Sequence, residues 1–169
     1  MNKLPKHHAM NSPAPMLPKP AEHIGIHDTP FVTVSDMVAI QLLQVDLTQG
    51  LWVLRARFQP GFEIETHRHT GPVFAVTEKG SWFYREYPEV VNKPGSYLFE
   101  PAGSLHTLTT PANQSGETVV WFAIYGANIN LDESGNITGV LDAPTVLQLY
   151  RALCAQQNLD GSKVIIHGA

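Results

Sequence analysis

His67 and His69 sit one residue apart in the stretch ETHRHTGPVFAV, Glu65 to Val76. On a strand, side chains two apart share a face, so both imidazoles can point at one place. Two imidazoles are half of a metal site. The candidate for a third is His106, in PAGSLH, 37 residues beyond His69. That separation means little along a line. If the strand opened by His106 neighbours the first, three imidazoles converge inside a barrel, and the chemistry becomes that of a bound transition metal. No carboxylate follows His69 closely. Glu63, Glu65 and Glu78 are the acids within reach along the chain, and Glu63 and Glu65, which share strand parity with His67, are minor options for one. Their plainer reading is as solvated turn and rim residues.

The elements that must position these groups are short strands. DMVAIQLLQVDL (residues 36–47) reads as one or two strands, and GLWVLRARF (50–58) as another closed by Pro60-Gly61. VFAVTEKGSWFYREY (73–87) reads as a hairpin turning at Glu78-Lys79-Gly80. GSYLFEPAGSLHTLTT (95–110) reads as two strands around a Pro-x-Gly turn. ETVVWFAIYGANINL (117–131) leads into a hairpin at Glu133 to Asn136. Many short runs cut by Gly and Pro predict a sandwich or barrel. One helix is expected near the end. Asp142 serves as N-cap and Pro144 suits the first turn, while Val146, Leu149, Tyr150, Leu153 and Cys154 form an apolar stripe. That stripe packs on the outside of the sheet or in a subunit contact. Cys154 on it reads as a buried structural thiol.

Composition narrows the function classes. The chain has 169 residues and reads as one domain, with 43% hydrophobic residues to build a core. Eleven basic residues against fifteen acidic ones give a net charge of −4, and the basic residues form no block. That argues against nucleic acid as a partner. The longest apolar stretch, Val119 to Tyr125, is too short to span a bilayer. A single cysteine excludes an internal disulfide and fits a reducing cytosol. The expected location is cytoplasmic, with no membrane partner. Residues 1–24 form a proline-rich arm, 25–142 the barrel, and 143–169 the C-terminal helix and tail. The arm includes His7 and His8, read as solvated residues.

The glycines, prolines and histidines recur in a fixed register. The first run is Gly61, five residues, His67, one residue, His69, three residues, Val73, six residues, Gly80. The second is Gly95, five residues, Pro101, one residue, Gly103, two residues, His106. Together they resemble the two motifs of the cupin superfamily. The resemblance implies an all-β fold, a double-stranded β-helix or jelly-roll barrel, here with a C-terminal helix. The longer strings HRHTGPVFAVTEKGSWFYREYPE, KPGSYLFEPAGSLHTL and VVWFAIYGANINLDESGNI are similar to the 2,4'-dihydroxyacetophenone dioxygenase family. Two positions depart from the superfamily pattern. Val73 stands where a metal-binding Glu is common, and Thr110 where Asn is common. Three neutral imidazoles then leave iron(II) its full charge, which favours a chelating, anionic substrate such as an enolate, an α-hydroxyketone or a β-diketone.

The resemblance implies iron(II), with zinc or nickel as possible occupants after purification, held by His67, His69 and His106. It implies cleavage of an aromatic α-hydroxyketone by dioxygen to a carboxylate and formate. Glu100, six residues before His106, would hydrogen-bond a ligand or take a substrate proton. Trp52, Trp82, Tyr84, Tyr97 and Trp121 are large enough to clamp an aromatic ring, or are barrel core. Arg57 or Arg55 would reach an anionic group, or would pair with an acid such as Glu78 or Glu86. The expected substrate contacts are Arg57, Trp82, Tyr84, Tyr97 and Trp121. A β-diketone dioxygenase and a non-enzymatic metal-binding cupin sensor are the competing readings. A homodimer is expected.

Overall fold

A computed structural model describes residues 20–169. Most of the expected proline-rich arm, residues 1–19, lies outside them. Fourteen strands and one helix make up the described chain. The largest sheet has the order β1 (Val32–Ser35), β2 (Val38–Asp46), β3 (Leu51–Phe58), β11 (Thr118–Tyr125), β5 (Val73–Lys79), β8 (Tyr97–Glu100). The C-terminal strand β14 (Ile165–His167) pairs in parallel with the far end of β2. Facing this sheet are two smaller ones. One is ordered β10 (Leu108–Thr109), β6 (Trp82–Tyr84), β7 (Tyr87–Asn92). The other is ordered β13 (Ile137–Leu141), β12 (Asn128–Leu131), β4 (His67–His69), β9 (Leu105–His106). Apart from β14, every pairing is antiparallel, and the whole is the cupin jelly roll expected from the sequence.

Strand alternation builds the interior. On β3, Trp52, Leu54, Ala56 and Phe58 turn inward, while Arg55 and Arg57 are on the other face. On β11, Val120, Phe122 and Ile124 turn inward and Trp121 turns out. These residues, with Leu42, Val73, Ala75, Trp82, Tyr84 and Leu108, form one continuous core.

Two expectations need correction. The segment 73–87 is not a hydrogen-bonded hairpin. β5 pairs with β11 and β8, whereas β6 pairs with β10 and β7, so the chain crosses from one sheet to another at Gly80. Gly80 has φ +72°, and a Cβ there would meet Thr118 Oγ1 at 2.6 Å. Only glycine lets the chain turn so close to β11. The helix, α1 (Ala143–Gln156), does start after Asp142, whose carboxylate accepts from the Thr145 N–H at 2.9 Å. It is not a lid on the sheet's outer surface alone. Val146 and Leu149 reach the interior and close one side of the cavity described below. Tyr150 anchors the helix by donating its hydroxyl to the Pro30 carbonyl at 2.6 Å.

Candidate metal centre

The condition for convergence was that the strand of His106 neighbour that of His67 and His69. β9 pairs with β4, and His106 lies directly opposite His67. All three imidazoles are buried, and each offers a nitrogen within 4.8 Å of the others. Their ring centroids are 4.9 Å (His67–His69), 4.8 Å (His67–His106) and 5.2 Å (His69–His106) apart. His67 Nδ1 lies 2.9 Å from the Glu65 carbonyl and donates to it, which leaves Nε2 as its ligand atom. Burial holds His69 down to about 4 and moves His67 in the same direction. Both rings are therefore neutral near pH 7, the form that binds a metal.

Glu100 completes the cluster. Its Oε2 lies 3.1 Å from His69 Nε2 and 3.2 Å from His106 Nε2. Its Oε1 accepts the hydroxyl of Tyr84, whose ring stacks on His106 at 4.0 Å. Burial alone would raise the Glu100 carboxyl. The His106 and His69 imidazoles and the Tyr84 hydroxyl outweigh it, and the net shift is downward. Burial first, then the Glu100 carboxylate, pushes the Tyr84 hydroxyl well above its usual range. Glu100 is the register partner of Val73 across β5 and β8. The superfamily position for a carboxylate holds Val73, and the carboxylate enters instead from the neighbouring strand.

A metal fits these residues on an observation internal to the chain. Glu100 Oε2 and His106 Nε2, which face one another at 3.2 Å, are buried and have no hydrogen-bond partner among the described residues. Orphaned polar atoms are rare in folded interiors, and two in one cluster of donor atoms mark a place for a cation.

The cluster lies on the wall of a cavity of about 610 Å3, within the range of small-molecule sites. Its wall is largely apolar, formed by Trp52, Leu54, Phe58, Phe122, Ile124 and Leu108 among others. Tyr84 lines it. Trp82 does not; it packs edge-on behind Tyr84 at 5.3 Å and donates to Thr77 Oγ1. Three further candidates are not brought to the cavity, because strand parity turns them outward. Arg57 pairs with Glu117 at 3.2 Å and lies 4.0 Å over the Phe31 ring. Trp121 stands opposite Arg55 and Val76 on the outer face, and Tyr97 is 64% exposed on β8. Arg55 pairs with Glu78 at 2.8 Å, as its plainer reading had it. Glu63 and Glu65 are exposed at the cavity rim, bound by Arg85 and Thr138.

Asn128 and Asn130 also line the cavity, and the sequence reading passed over them. The available signal was two carboxamides at i and i+2 on an otherwise apolar strand, which puts both on one face.

Among the described residues no helix is long and apolar enough to cross a membrane. No curated protein matches the chain. Solved structures do. A protein of unknown function with a cupin-like fold from Ralstonia eutropha JMP134 is 35% identical, with TM-score 0.75, over 79% of this chain and 82% of that one. An RmlC-like cupin from the same organism is 25% identical, with TM-score 0.77, over 84% and 92%. An acetylacetone dioxygenase from Acinetobacter johnsonii shares the fold at 20% identity and TM-score 0.70, over 90% and 99%. The family model described as ChrR cupin-like domain matches residues 20–128, and with the jelly roll and its inward histidines this chain belongs to that family.

Proposed function

We propose that this protein is an iron(II)-dependent dioxygenase that cleaves the carbon–carbon bond of an aromatic α-hydroxyketone resembling 2,4'-dihydroxyacetophenone. The observation that carries the reading is the buried cluster of His67, His69, His106 and Glu100 on the wall of an apolar cavity of about 610 Å3. The fold shared with an acetylacetone dioxygenase supports it. The reaction balances without another reductant: R–CO–CH2OH plus O2 gives R–COOH plus HCOOH. The bond between the ketone carbon and the hydroxymethyl carbon breaks, and each carbon gains one oxygen atom.

His67, His69 and His106 would hold iron, with zinc or nickel able to take its place. Iron(II), when bound, would supply Lewis acidity and the electrons that dioxygen chemistry needs. The protein's own residues do the rest. Glu100, kept ionised beside the imidazoles, would accept the proton that the substrate loses. Tyr84 fixes the orientation of that carboxylate through Oε1. Tyr84 and the apolar wall hold the aromatic ring and keep water out. For the expected homodimer, the outward Tyr97 and Phe99, 64% and 52% exposed on edge strand β8, offer apolar surface to a second copy. Light scattering that gives a monomer mass at working concentration would remove that part.

The test begins with metal-stripped protein, reloaded with iron(II) without air. Oxygen uptake that needs both iron and 2,4'-dihydroxyacetophenone, with formate as product and with loss in His106→Ala, is the expected result. Uptake with acetylacetone but not with the hydroxyketone would move the assignment to a β-diketone. Metal binding without uptake on either would leave a binding protein.

A further inference from the structure

Strand β12 turns Asn128 and Asn130 to the cavity. Asn130 is the register partner of His67, and Asn128 of His69. One row of this sheet therefore runs His106, His67, Asn130, Gly139 across four strands. The row ends in a glycine, so no side chain fills the space beside the Asn130 carboxamide. A Cβ at Gly139 would find Asn130 Nδ2 as its neighbour, at 3.7 Å.

Both carboxamide oxygens are buried, and neither has a hydrogen-bond partner among the described residues. Within the chain the choices are few. His67, opposite Asn130, has given its Nδ1–H to the Glu65 carbonyl. His69, opposite Asn128, still has a free Nδ1. Asn128 thus faces an imidazole with a nitrogen still free, whereas the imidazole that faces Asn130 is already committed. A carboxamide both donates and accepts. A hydroxyl matches it whichever way the amide is turned, giving a proton to Oδ1 or taking one from Nδ2. A ketone or ether oxygen can only accept.

We propose that Asn130 is a specificity-determining residue that receives the substrate's hydroxyl beside the metal centre, with Asn128 flanking it. The inference rests on the function proposed above and narrows its substrate class. An α-hydroxyketone carries the hydroxyl that Asn130 pairs; a β-diketone enolate has none to donate.

The test is a binding measurement that needs no turnover. Zinc-loaded protein is titrated calorimetrically with 2-hydroxyacetophenone and with its methyl ether, 2-methoxyacetophenone. The wild type is compared with Asn130→Leu, and with Asn130→Val, whose β-branched side chain suits a strand. The ether alters chelation equally in every variant, so the cycle isolates the contact between Asn130 and the hydroxyl. The expected result is a wild-type preference for the hydroxyketone that falls about tenfold in both variants, with zinc content unchanged. A preference that survives in both variants overturns this inference and leaves the proposed function standing. A wild type that binds no hydroxyketone overturns both.

Discussion

Replacing Tyr84 with Phe takes one hydroxyl out of the metal centre and leaves the ring in place. The ring's stack on His106, at 4.0 Å and 17°, survives the change, as does its edge contact with Trp82. What goes is the donor to Glu100 Oε1. Glu100 is only 4% exposed, and its other oxygen already has no hydrogen-bond partner, so solvent does not take over. A hydrogen bond to a charged group contributes about 1.5–3 kcal/mol. In a domain of this size 1 kcal/mol moves Tm by about 2–4 °C, so the metal-free variant melts about 3–12 °C below wild type at pH 7. The gap also has a pH signature. Glu100 is held below its usual range, so its ionised form adds stability that is full above about 4.5 and is lost as pH falls through its folded-state value. Tyr84 is one of the groups that hold it there. The gap between the two proteins therefore narrows below pH 4.5. Calorimetric scans of both proteins from pH 7 down to 4 measure it. A shift under about 1 °C at pH 7, or a gap that ignores acid, would refute the claim that Tyr84 supports an ionised Glu100.

Three further outcomes follow from the same geometry. Metal-free protein loses stability as pH falls from 6.5 towards 4. In that window the unfolded chain takes up protons that buried His69 refuses, an interval worth roughly 3 kcal/mol, and His67 adds in the same sense. Denaturant midpoints at pH 7 and 5 show it, and Glu100, held below 4.5, plays no part above pH 5. Ala56→Leu projects extra carbon into the cavity from β3, a strand that carries none of the three imidazoles, so metal content stays unchanged while KM for the ketone rises about tenfold. Asp142→Ala removes the side chain that caps α1 through the Thr145 N–H, and costs about 1 kcal/mol, or about 2–4 °C in Tm.

The fold was legible because its signals are local. Gly80, Gly95 and Gly103 all adopt the positive φ that their turn positions demand, and Asp142 caps α1. Alternation along β3 and β11 marks two faces. It does not say which face looks inward, and that is where Arg57 and Trp121 were misplaced. The outward face of β3 is defined only once β11 and β2 lie beside it, because Arg55 finds its acid on β5 and Arg57 just ahead of β11, both distant in sequence. The crossing at Gly80 was hidden for a related reason. A glycine turn between two apolar runs reads the same whether the runs pair with each other or join two sheets.

The site shows the same division between local and long-range information. His67 and His69 declare a shared face by their spacing, and the register of β9 adds His106 to it. The register of β12 adds Asn130 and Asn128 by the same rule, yet no motif marks them, since pairing between β4 and β12 joins segments some sixty residues apart. The carboxylate follows this logic too. Val73 reads in sequence as the loss of an acidic group, but β5 and β8 set Glu100 directly opposite it. A carboxylate delivered from the neighbouring strand reaches two of the three imidazoles while its other oxygen stays tied to Tyr84. In the proposed function that arrangement separates holding a metal from handling a proton: the three imidazoles would serve the first, and Glu100, held in place by a hydroxyl, would serve the second.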